Sequence, residues 1–300
     1  MKRLVALAGL MFLVTGVAEA GLPRTAVSLY GSDSNPCSLN APCATFTYAI
    51  SQTNPGGELI ALDSGGYDGF TVDRPMHVTV APGAVVTVGK ELGTTNWAIK
   101  VNAPKERVSL RGFMVVTTGA MFGIVAHDAA ATYIDDVVIE GNGCASGCGA
   151  GIFGRKGDVF VNHARIRNVF QGIDHNPLET STIEVRDSII DNAELAGISI
   201  DNFGKGIVRN TVVSHSGRAF YASALNGAKP ELALINCSAT SSKTGVEAGS
   251  GSTVRIERTA VTRNDVGLKA SGGTMITHGN SMVDGNGVDT SGPMTINAML

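Results

Sequence analysis

The side chains of this sequence that could do chemistry together recur at intervals of roughly 20 to 28 residues. Asp174 and Asp201 could act as the acid and the base of glycoside hydrolysis, which needs two carboxyl groups at a defined separation. Arg155 and His127 could instead neutralise and deprotonate a uronic acid in a lyase reaction. Aromatic rings in the same set could stack on sugar faces, and polar groups could bind hydroxyls. The candidate ligand-binding residues are His127, Phe153, Arg155, Asp174, Asn176, Asp201 and Tyr221.

The same residues also fit a purely structural interpretation, because exposed strand positions are usually polar. We favour a carbohydrate-binding or surface-interaction module, since no recognisable catalytic constellation is present. A polysaccharide lyase or glycoside hydrolase that uses the same residues is the alternative, and no catalytic residue is assigned. No cofactor is expected, and no calcium loop or zinc cluster indicates a metal site.

An internal repeat would position these side chains. A small residue followed by a large apolar one returns after 28, 21, 25, 22, 26, 22 and 20 residues. We expect the apolar residue to point inward and the small residue to permit the positive φ of a corner. The pairs are Gly123-Ile124, Gly151-Ile152, Gly172-Ile173, Gly197-Ile198, Ala219-Phe220, Gly245-Val246, Gly267-Leu268 and Gly287-Val288.

Polar corners alternate with these landmarks. Asn and Asp suit corners because they accept left-handed dihedral angles and hydrogen-bond to nearby backbone groups. A histidine in such a column is more readily explained by a structural hydrogen bond than by catalysis. One predicted corner column contains Asp136, His163, Asp187, Asn210 and Asn236, and a later one contains Asn168, Asn192 and Asn264.

Two strand registers and two corner types in each ~22 residues predict an all-β fold, a single right-handed parallel β-helix of about ten coils. The Leu-x-x-Leu-x-Leu signature of leucine-rich repeats is absent, and hairpin signals are too scattered for a β-sandwich. A short amphipathic helix over 44–52 is expected to cap the amino-terminal end. The predicted organisation is a signal peptide at 1–20, a cap at 21–57, the β-helix at 58–293 and a tail or last strand at 294–300.

Residues beside the inward landmarks should point to solvent, because neighbouring strand residues alternate between the two faces. Column neighbours lie ~4.8 Å apart, close enough to contact successive sugars. We therefore expect an exposed Ser199, whose replacement by Ala changes stability by no more than ~0.5 kcal/mol, and a buried His175 with a hydrogen-bond partner. The outward columns are Val125, Phe153, Asp174, Ser199, Tyr221, Glu247 and Lys269, then His127, Arg155, Asn176, Asp201 and Ser223.

The first twenty residues are typical of a secretory signal. Lys2 and Arg3 precede an apolar run that is short for a membrane span, and Ala18 and Ala20 fit a cleavage site before Gly21. We expect a secreted or periplasmic protein without a membrane span in its mature chain. The formal net charge of −3 provides no basic field for nucleic acid, so the partner considered is a polysaccharide.

Five cysteines in an exported chain favour disulfide bonds. The favoured pairs are Cys37 with Cys43, across a Pro-containing turn, and Cys144 with Cys148, in a Gly-rich loop. Metal binding is the rival interpretation, but neither pair has a second cluster at zinc-site spacing. Cys237 aligns with inward positions and is expected to be a buried, unreactive thiol.

The amino-terminal block carries a family resemblance. Pro36-Cys37, Pro42-Cys43-Ala44-Thr45-Phe46, Gly56-Gly57-Glu58 and Gly65-Gly66-Tyr67 resemble the opening of pectin-lyase-like β-helix proteins, and the later coils resemble their repeats. The resemblance implies the fold but no single activity, since the superfamily includes lyases, hydrolases, epimerases, esterases and adhesins. Its catalytic patterns are not matched by Asp135-Asp136 after Ile134, by Arg155-Lys156 without a spacer, or by Asp174-His175 without an apolar–aromatic lead-in.

Overall fold

A computed structural model describes residues 21–89, 97–117, 122–142, 149–224 and 227–297. The predicted signal peptide at 1–20, Cys144, Cys148 and residues 298–300 lie outside this part of the chain. The described residues form one helix, α1 (Phe46–Gln52), and 28 strands. In chain order the strands are β1 (Leu22–Val27), β2 (Thr53–Ala61), β3 (Gly65–Tyr67), β4 (Phe70–Val72), β5 (Met76–Val80), β6 (Val86–Val88), β7 (Trp97–Arg111), β8 (Phe113–Val116), β9 (Phe122–Asp135), β10 (Val138–Glu140), β11 (Ala150–Gly154), β12 (Asp158–Asn162), β13 (Arg165–His175), β14 (Ser181–Arg186), β15 (Ile189–Asp201), β16 (Gly204–Arg209), β17 (Val212–Ser214), β18 (Arg218–Ser223), β19 (Glu231–Ile235), β20 (Ser238–Thr240), β21 (Thr244–Ala248), β22 (Thr253–Glu257), β23 (Ala260–Thr262), β24 (Val266–Ala270), β25 (Thr274–Thr277), β26 (Met282–Val283), β27 (Val288–Ser291) and β28 (Met294–Ile296).

Every strand pairing is parallel and joins one coil to the next, so the predicted parallel β-helix is confirmed. Three faces wind around one core, and long strands bend around a corner to serve two faces. Sheet A contains β1, β2, β5, the ends of β7 and β9, β12, β14, β16, β19, β22, β25 and β28. Sheet B contains β3, β6, β8, β10, the starts of β13 and β15, β17, β20, β23 and β26. Sheet C contains β4, the starts of β7 and β9, β11, the ends of β13 and β15, β18, β21, β24 and β27.

The core consists of inward-pointing columns that run along the coils. In sheet C, Ile173 pairs with Ile198 and Ile198 with Phe220, and all three side chains are buried. The predicted inward register is therefore correct for the seven landmarks from Gly123-Ile124 to Gly267-Leu268. It is wrong for Gly287-Val288, because Thr290 pairs with Leu268 in the last coil and Val288 is exposed. Val, Ile and Leu dominate these columns because branched side chains pack well between pleated strands.

The glycines of the landmarks serve close packing and do not form left-handed corners, so the positive φ expected for them is wrong. Gly172 has no positive φ, but an added Cβ would lie 2.4 Å from the carbonyl oxygen of Gly197. The corresponding distance from Gly123 to the carbonyl oxygen of Gly151 is 2.5 Å. The small residue therefore allows the backbones of two adjacent coils to lie close together at the landmark.

The corner between sheets A and B has the predicted column of left-handed residues. Asn210 (φ 49°) donates from Nδ2 to Asp187 at 2.9 Å, and Asn236 (φ 55°) donates to Asn210 at 2.8 Å. His163 (φ 52°) occupies the same column as predicted, but its Nδ1 lies 3.6 Å from Asp136 Oδ1, which is too far for the expected hydrogen bond.

The corner between sheets B and C agrees with prediction only in part. Asn192 donates to Asn168 at 2.9 Å, and both residues have positive φ. The third expected member, Asn264, is wrong by one position, because Arg263 (φ 58°) occupies the corner. Asn264 is instead buried, and its side chain accepts from the backbone N–H of Ser242 at 3.0 Å.

The predicted capping helix is present as α1 and closes the amino-terminal end of the core. Thr45 precedes the helix and accepts a hydrogen bond from the N–H of Tyr48 at 3.2 Å, so the helix begins two residues later than predicted. Phe46 stacks on Phe70 with ring centroids 4.4 Å apart. The Cys37–Cys43 disulfide is also confirmed, and it ties down the chain before α1.

The remaining boundary regions also contain strands. Strand β1 pairs with β2, so sheet A begins within residues 21–57. At the other end, β28 pairs with β25 and forms a last strand over 294–296. No helix in the described part of the chain combines the length and the apolarity needed to cross a membrane.

The reactivity of Cys237 can test the prediction that its side chain points inward. Its side chain is buried and unbonded to other cysteines, and burial raises the pKa of its thiol. We expect iodoacetamide to leave Cys237 unmodified in the native protein and to label it once the chain is unfolded, because the thiolate is the reactive form. Peptide mapping checks this result, and rapid native labelling or a disulfide at Cys237 would contradict the alignment.

Candidate functional site

The outer face of sheet C brings most of the predicted site residues into columns. Phe153 pairs with Asp174, Asp174 with Ser199, and Ser199 with Tyr221 in successive coils. The next positions in this column are Glu247 and Lys269. The regular spacing of the coils thus lines these side chains up along the rod.

The predicted exposure of this column is wrong for four of its members, which are buried: Val125, Asp174, Ser199 and Glu247. Ser199 is 1% exposed and Asp174 only 9%. Long side chains beside the column provide cover: Gln171 Nε2 approaches Ser199 Oγ at 3.3 Å, and the guanidinium of Arg218 lies 4.5 Å from the ring centroid of Tyr221. Short Asp and Ser side chains therefore form the floor of this face and do not project from it.

Asp174 and Asp201, the carboxyl pair, meet at one hydroxyl group. Ser199 Oγ lies 3.2 Å from Asp174 Oδ1 and 3.0 Å from Asp201 Oδ2. The three residues come from adjacent strand segments, since Ser199 and Asp201 alternate on β15 while Asp174 lies on β13 beside Ser199. The nearest carboxyl oxygens are consequently no more than about 6 Å apart.

Both carboxyl groups bind protons more tightly than ordinary aspartates. Burial, together with the nearby charge of Asp201, raises the pKa of Asp174 to about 7. Burial also raises the pKa of Asp201 to about 6, although the hydrogen bond from Ser199 and the positive charge of Arg218 act in the opposite direction. Near neutral pH the pair can therefore hold one proton and one negative charge, the state required of an acid and a base.

The preceding coils present aromatic and basic groups on the same face. Phe153 stacks on Phe122 with ring centroids 4.9 Å apart. Burial lowers the pKa of His127, and the positive charges of Lys100 and Arg155 lower it further. The imidazole is therefore a neutral base at pH 7, beside two cations that could receive an acidic group.

The following coils form a second polar cluster. Arg218 Nε donates to Glu247 at 2.9 Å, and Lys269 Nζ lies 3.2 Å from the same carboxylate. Arg218 also covers one face of Tyr221. Glu247 is thereby committed to holding two cations in place.

Asn176 has a structural partner. Its side-chain oxygen accepts a hydrogen bond from Asn202 Nδ2 at 2.7 Å, and Asn202 is a left-handed corner residue. Asn176 therefore forms part of the corner between sheets C and A. Among the described residues, no group of His, Cys, Asp and Glu side chains is arranged to hold a metal ion.

His175 lies inside the core as predicted, directly after Asp174. Its Nε2 lies 3.1 Å from Ser181 Oγ, and burial lowers the pKa of the imidazole to about 4. The folded pKa is below the unfolded value of ~6.5, so the unfolded chain binds a proton that the folded chain does not. Stability is therefore lost as the pH falls from about 6.5 to about 4, by roughly 3 kcal/mol from this group.

A titration checks the state of this histidine. We expect the carbon-bound ring protons of His175 to show no protonation above about pH 5 in an NMR titration, because the charged ring would be buried. Protonation near pH 6.5 in the folded protein would show that the ring is not held in the core.

No protein-family model and no curated protein matches the sequence. The structure, however, resembles solved β-helix structures. A rhamnogalacturonan lyase matches with a TM-score of 0.52 and 13% identity, over 91% of this chain and 86% of its own. The structure of XylC with xylose matches with a TM-score of 0.52 and 8% identity, over 83% of this chain and 69% of its own.

The fold is the pectin-lyase-like β-helix. At these identities the similarity concerns the fold alone, and the resemblance expected from the amino-terminal block is confirmed. The pectin-lyase-like β-helix supplies a long parallel face, and the side chains on it must decide the function.

Sequence reasoning missed three residues on this face of the β-helix: Lys100, Gln171 and Arg218. Two consecutive residues, such as Gly172 and Ile173, are both buried at the seven landmarks from Gly123-Ile124 to Gly267-Leu268. The residue before the small one therefore projects outward again, which places Gln171 and Arg218 beside the central column. The repeated small–apolar pair could have revealed these residues. Strict alternation cannot bury two neighbouring residues, so a buried pair shifts the outward positions by one residue.

Proposed function

We propose that the outer face of sheet C binds an extended carbohydrate in an exported protein. The Asp174–Ser199–Asp201 cluster, flanked along the column by Phe153 and Tyr221, is the observation that carries this proposal. Polar groups on the floor can bind sugar hydroxyls, while rings on both sides can contact sugar faces. The column spacing of ~4.8 Å allows one chain to contact several coils.

Two further observations support carbohydrate as the ligand and export as the destination. One solved structure with this fold is a rhamnogalacturonan lyase, and another was determined with xylose. The Cys37–Cys43 disulfide is compatible with an oxidising compartment, which suits the secretory signal expected at 1–20.

Glycoside hydrolysis is the second candidate function, and the carboxyl pair favours it. Asp174 holds its proton more tightly and would protonate the leaving glycosidic oxygen, while the ionised Asp201 would act as nucleophile or base. Their separation of at most about 6 Å is closer to the ~5–5.5 Å of retaining enzymes than to the longer gap of inverting ones. Hydrolysis with retention at the anomeric carbon is therefore the expected outcome.

Product chemistry separates binding, hydrolysis and elimination. The mature protein would be incubated with a panel of neutral and acidic polysaccharides, while binding, new reducing ends and the ultraviolet absorbance of an unsaturated product are followed. Binding without product supports the module, and reducing ends without unsaturation support the hydrolase. An unsaturated product would assign the reaction to a lyase using His127 and Arg155. No binding to any member of the panel would contradict the proposal.

The aromatic contribution can be measured in the same assay. We expect Tyr221→Ala to weaken binding of an oligosaccharide by about fivefold, which corresponds to ~1 kcal/mol for one stacked ring. Isothermal titration calorimetry provides the affinity. Tyr30→Ala is the matched control, because Tyr30 is 92% exposed in the amino-terminal region and lies outside sheet C. Equal losses for both variants would remove Tyr221 from the binding face.

A further inference from the structure

Ser199 lies between the carboxyl pair and is shielded from water. Its Oγ is within hydrogen-bonding distance of Asp174 and Asp201, and it provides the only side-chain hydrogen bond found for either carboxyl group among the described residues. The side chain is almost completely buried. Solvent therefore cannot readily replace this hydroxyl as the partner of the two carboxyl groups.

The number of hydrogen atoms limits how the three groups can interact. A serine hydroxyl has one hydrogen to donate, and Gln171 Nε2 approaches Ser199 Oγ as a donor at 3.3 Å. If both aspartates were ionised, one carboxylate would face the lone pairs of Oγ without a hydrogen between them. Both contacts are favourable only when one carboxyl group is protonated and donates to Oγ, while Oγ donates to the other.

The surroundings determine which carboxyl group keeps the proton. Gln171 contacts Ser199 from outside the column, and the positive charge of Arg218 acts on Asp201. In the column itself, Phe153 is the neighbour of Asp174 and Tyr221 is the neighbour of Ser199. Arg218 stabilises the negative charge of Asp201, whereas Asp174 lies beside the ring of Phe153 in the column. The proton therefore belongs on Asp174, and Ser199 donates to the ionised Asp201.

We propose that Ser199 is a positioning residue that holds one proton within the carboxyl pair, on Asp174, and keeps Asp201 ionised. This inference rests on the proposed hydrolysis with retention. In the first step Asp201 forms a bond to the anomeric carbon as the glycosidic bond breaks, and the leaving oxygen takes the proton of Asp174. In the second step water attacks the anomeric carbon and gives a proton to Asp174, while the bond to Asp201 breaks and releases its carboxylate. Each turnover thus restores the starting state, which the hydrogen bonds of Ser199 stabilise.

Ser199→Ala and Ser199→Thr test this role, because Thr restores the hydroxyl. With a polysaccharide that the wild-type protein hydrolyses, we expect Ser199→Ala to lower kcat by at least about tenfold with little change in KM, and Ser199→Thr to recover most of the loss. Carbon-13 NMR of the aspartate carboxyls should show two coupled titration steps in the wild type. In Ser199→Ala the two steps should move toward each other, since the singly protonated pair loses both of its hydrogen bonds to Oγ.

The kinetic measurement and the NMR titration can fail independently of each other. Unchanged carboxyl titrations in Ser199→Ala, or two uncoupled steps in the wild type, would overturn the role of Ser199 even if hydrolysis is found. Absence of hydrolysis with every substrate contradicts the proposed activity, while the titrations still decide whether the pair shares a proton through Ser199. Ser214→Ala is the matched control, because Ser214 Oγ donates to the separate carboxylate Asp191 at 2.7 Å. If Ser199→Ala does not fold, the wild-type titration decides.

Discussion

Ile198→Ala is expected to destabilise the protein by ~2–5 kcal/mol. The Ile198 side chain is fully buried in the inward column of sheet C, between Ile173 and Phe220. Removing its outer carbons leaves a cavity that the stacked coils cannot close, because the neighbouring side chains are fixed by strand pairing above and below. Urea unfolding followed by circular dichroism measures the loss as a lower transition midpoint.

Ile189→Ala is the matched control for this change. Ile189 lies on the same strand, β15, but is 42% exposed on the outer side of sheet B. The same truncation there removes little buried surface and should cost no more than about 1 kcal/mol. Equal costs at the two positions would show that the inward register is misassigned.

Asp174→Asn should separate catalysis from binding. If the carboxyl pair is catalytic, the variant is expected to lose hydrolysis by ~10²–10⁴-fold while oligosaccharide affinity is largely retained, because the amide cannot donate a proton to the leaving group. Rates of reducing-end release and calorimetric affinities measure the two effects. If the face only binds, the substitution should change affinity modestly and leave no activity to lose.

The same substitution is expected to stabilise the protein at alkaline pH. The folded pKa of Asp174, about 7, is above the ordinary value of ~3.9, so the folded state binds the proton more tightly. That contribution is fully present below about pH 4 and is lost as the pH rises through 7. Since Asn does not ionise, Asp174→Asn should gain on the order of 2–4 kcal/mol over the wild type between pH 4 and pH 8.

Asp191→Asn is the control of opposite sign. Burial acts to raise the pKa of Asp191, but hydrogen bonds from Ser214 and His215 outweigh it, and the pKa is lowered. Its ionised form therefore stabilises the folded state above the ordinary pKa of an aspartate, and this contribution is lost when the pH falls. A stability gain at pH 8 in Asp191→Asn would show that the effect expected at Asp174 is unrelated to its burial.

The repeat made the coil architecture predictable from local patterns. The small–apolar landmarks identify the inward column because each coil applies the same alternation to Ile173, Ile198 and Phe220. The Asn and Asp corners were equally readable, since few other residues accept left-handed dihedral angles. The prediction for Asn264 was wrong because Arg263 occupies the corner in that coil. The preference of Asn and Asp for left-handed dihedral angles does not predict an arginine there.

The candidate site was only half predictable. Alternation correctly placed Asp174, Ser199 and Asp201 on one face, but it says nothing about how deeply each side chain is covered. Their burial depends on Gln171 and Arg218, which extend over the column from outside the alternating pattern. The raised pKa values follow from that cover, so they could not be inferred before the neighbouring columns were placed.

The direction of the strand pairing gives the rod an unequal resistance to force. All three sheets join one coil to the next, so their hydrogen bonds lie along the long axis. Tension applied between the two ends pulls these bonds open in sequence, and the rod yields coil by coil. Each coil that separates releases roughly 20 to 28 residues, or about 70 to 100 Å of extended chain. Tension across the rod loads several bonds of one strand in shear at once, so the structure is stiffer sideways than lengthwise.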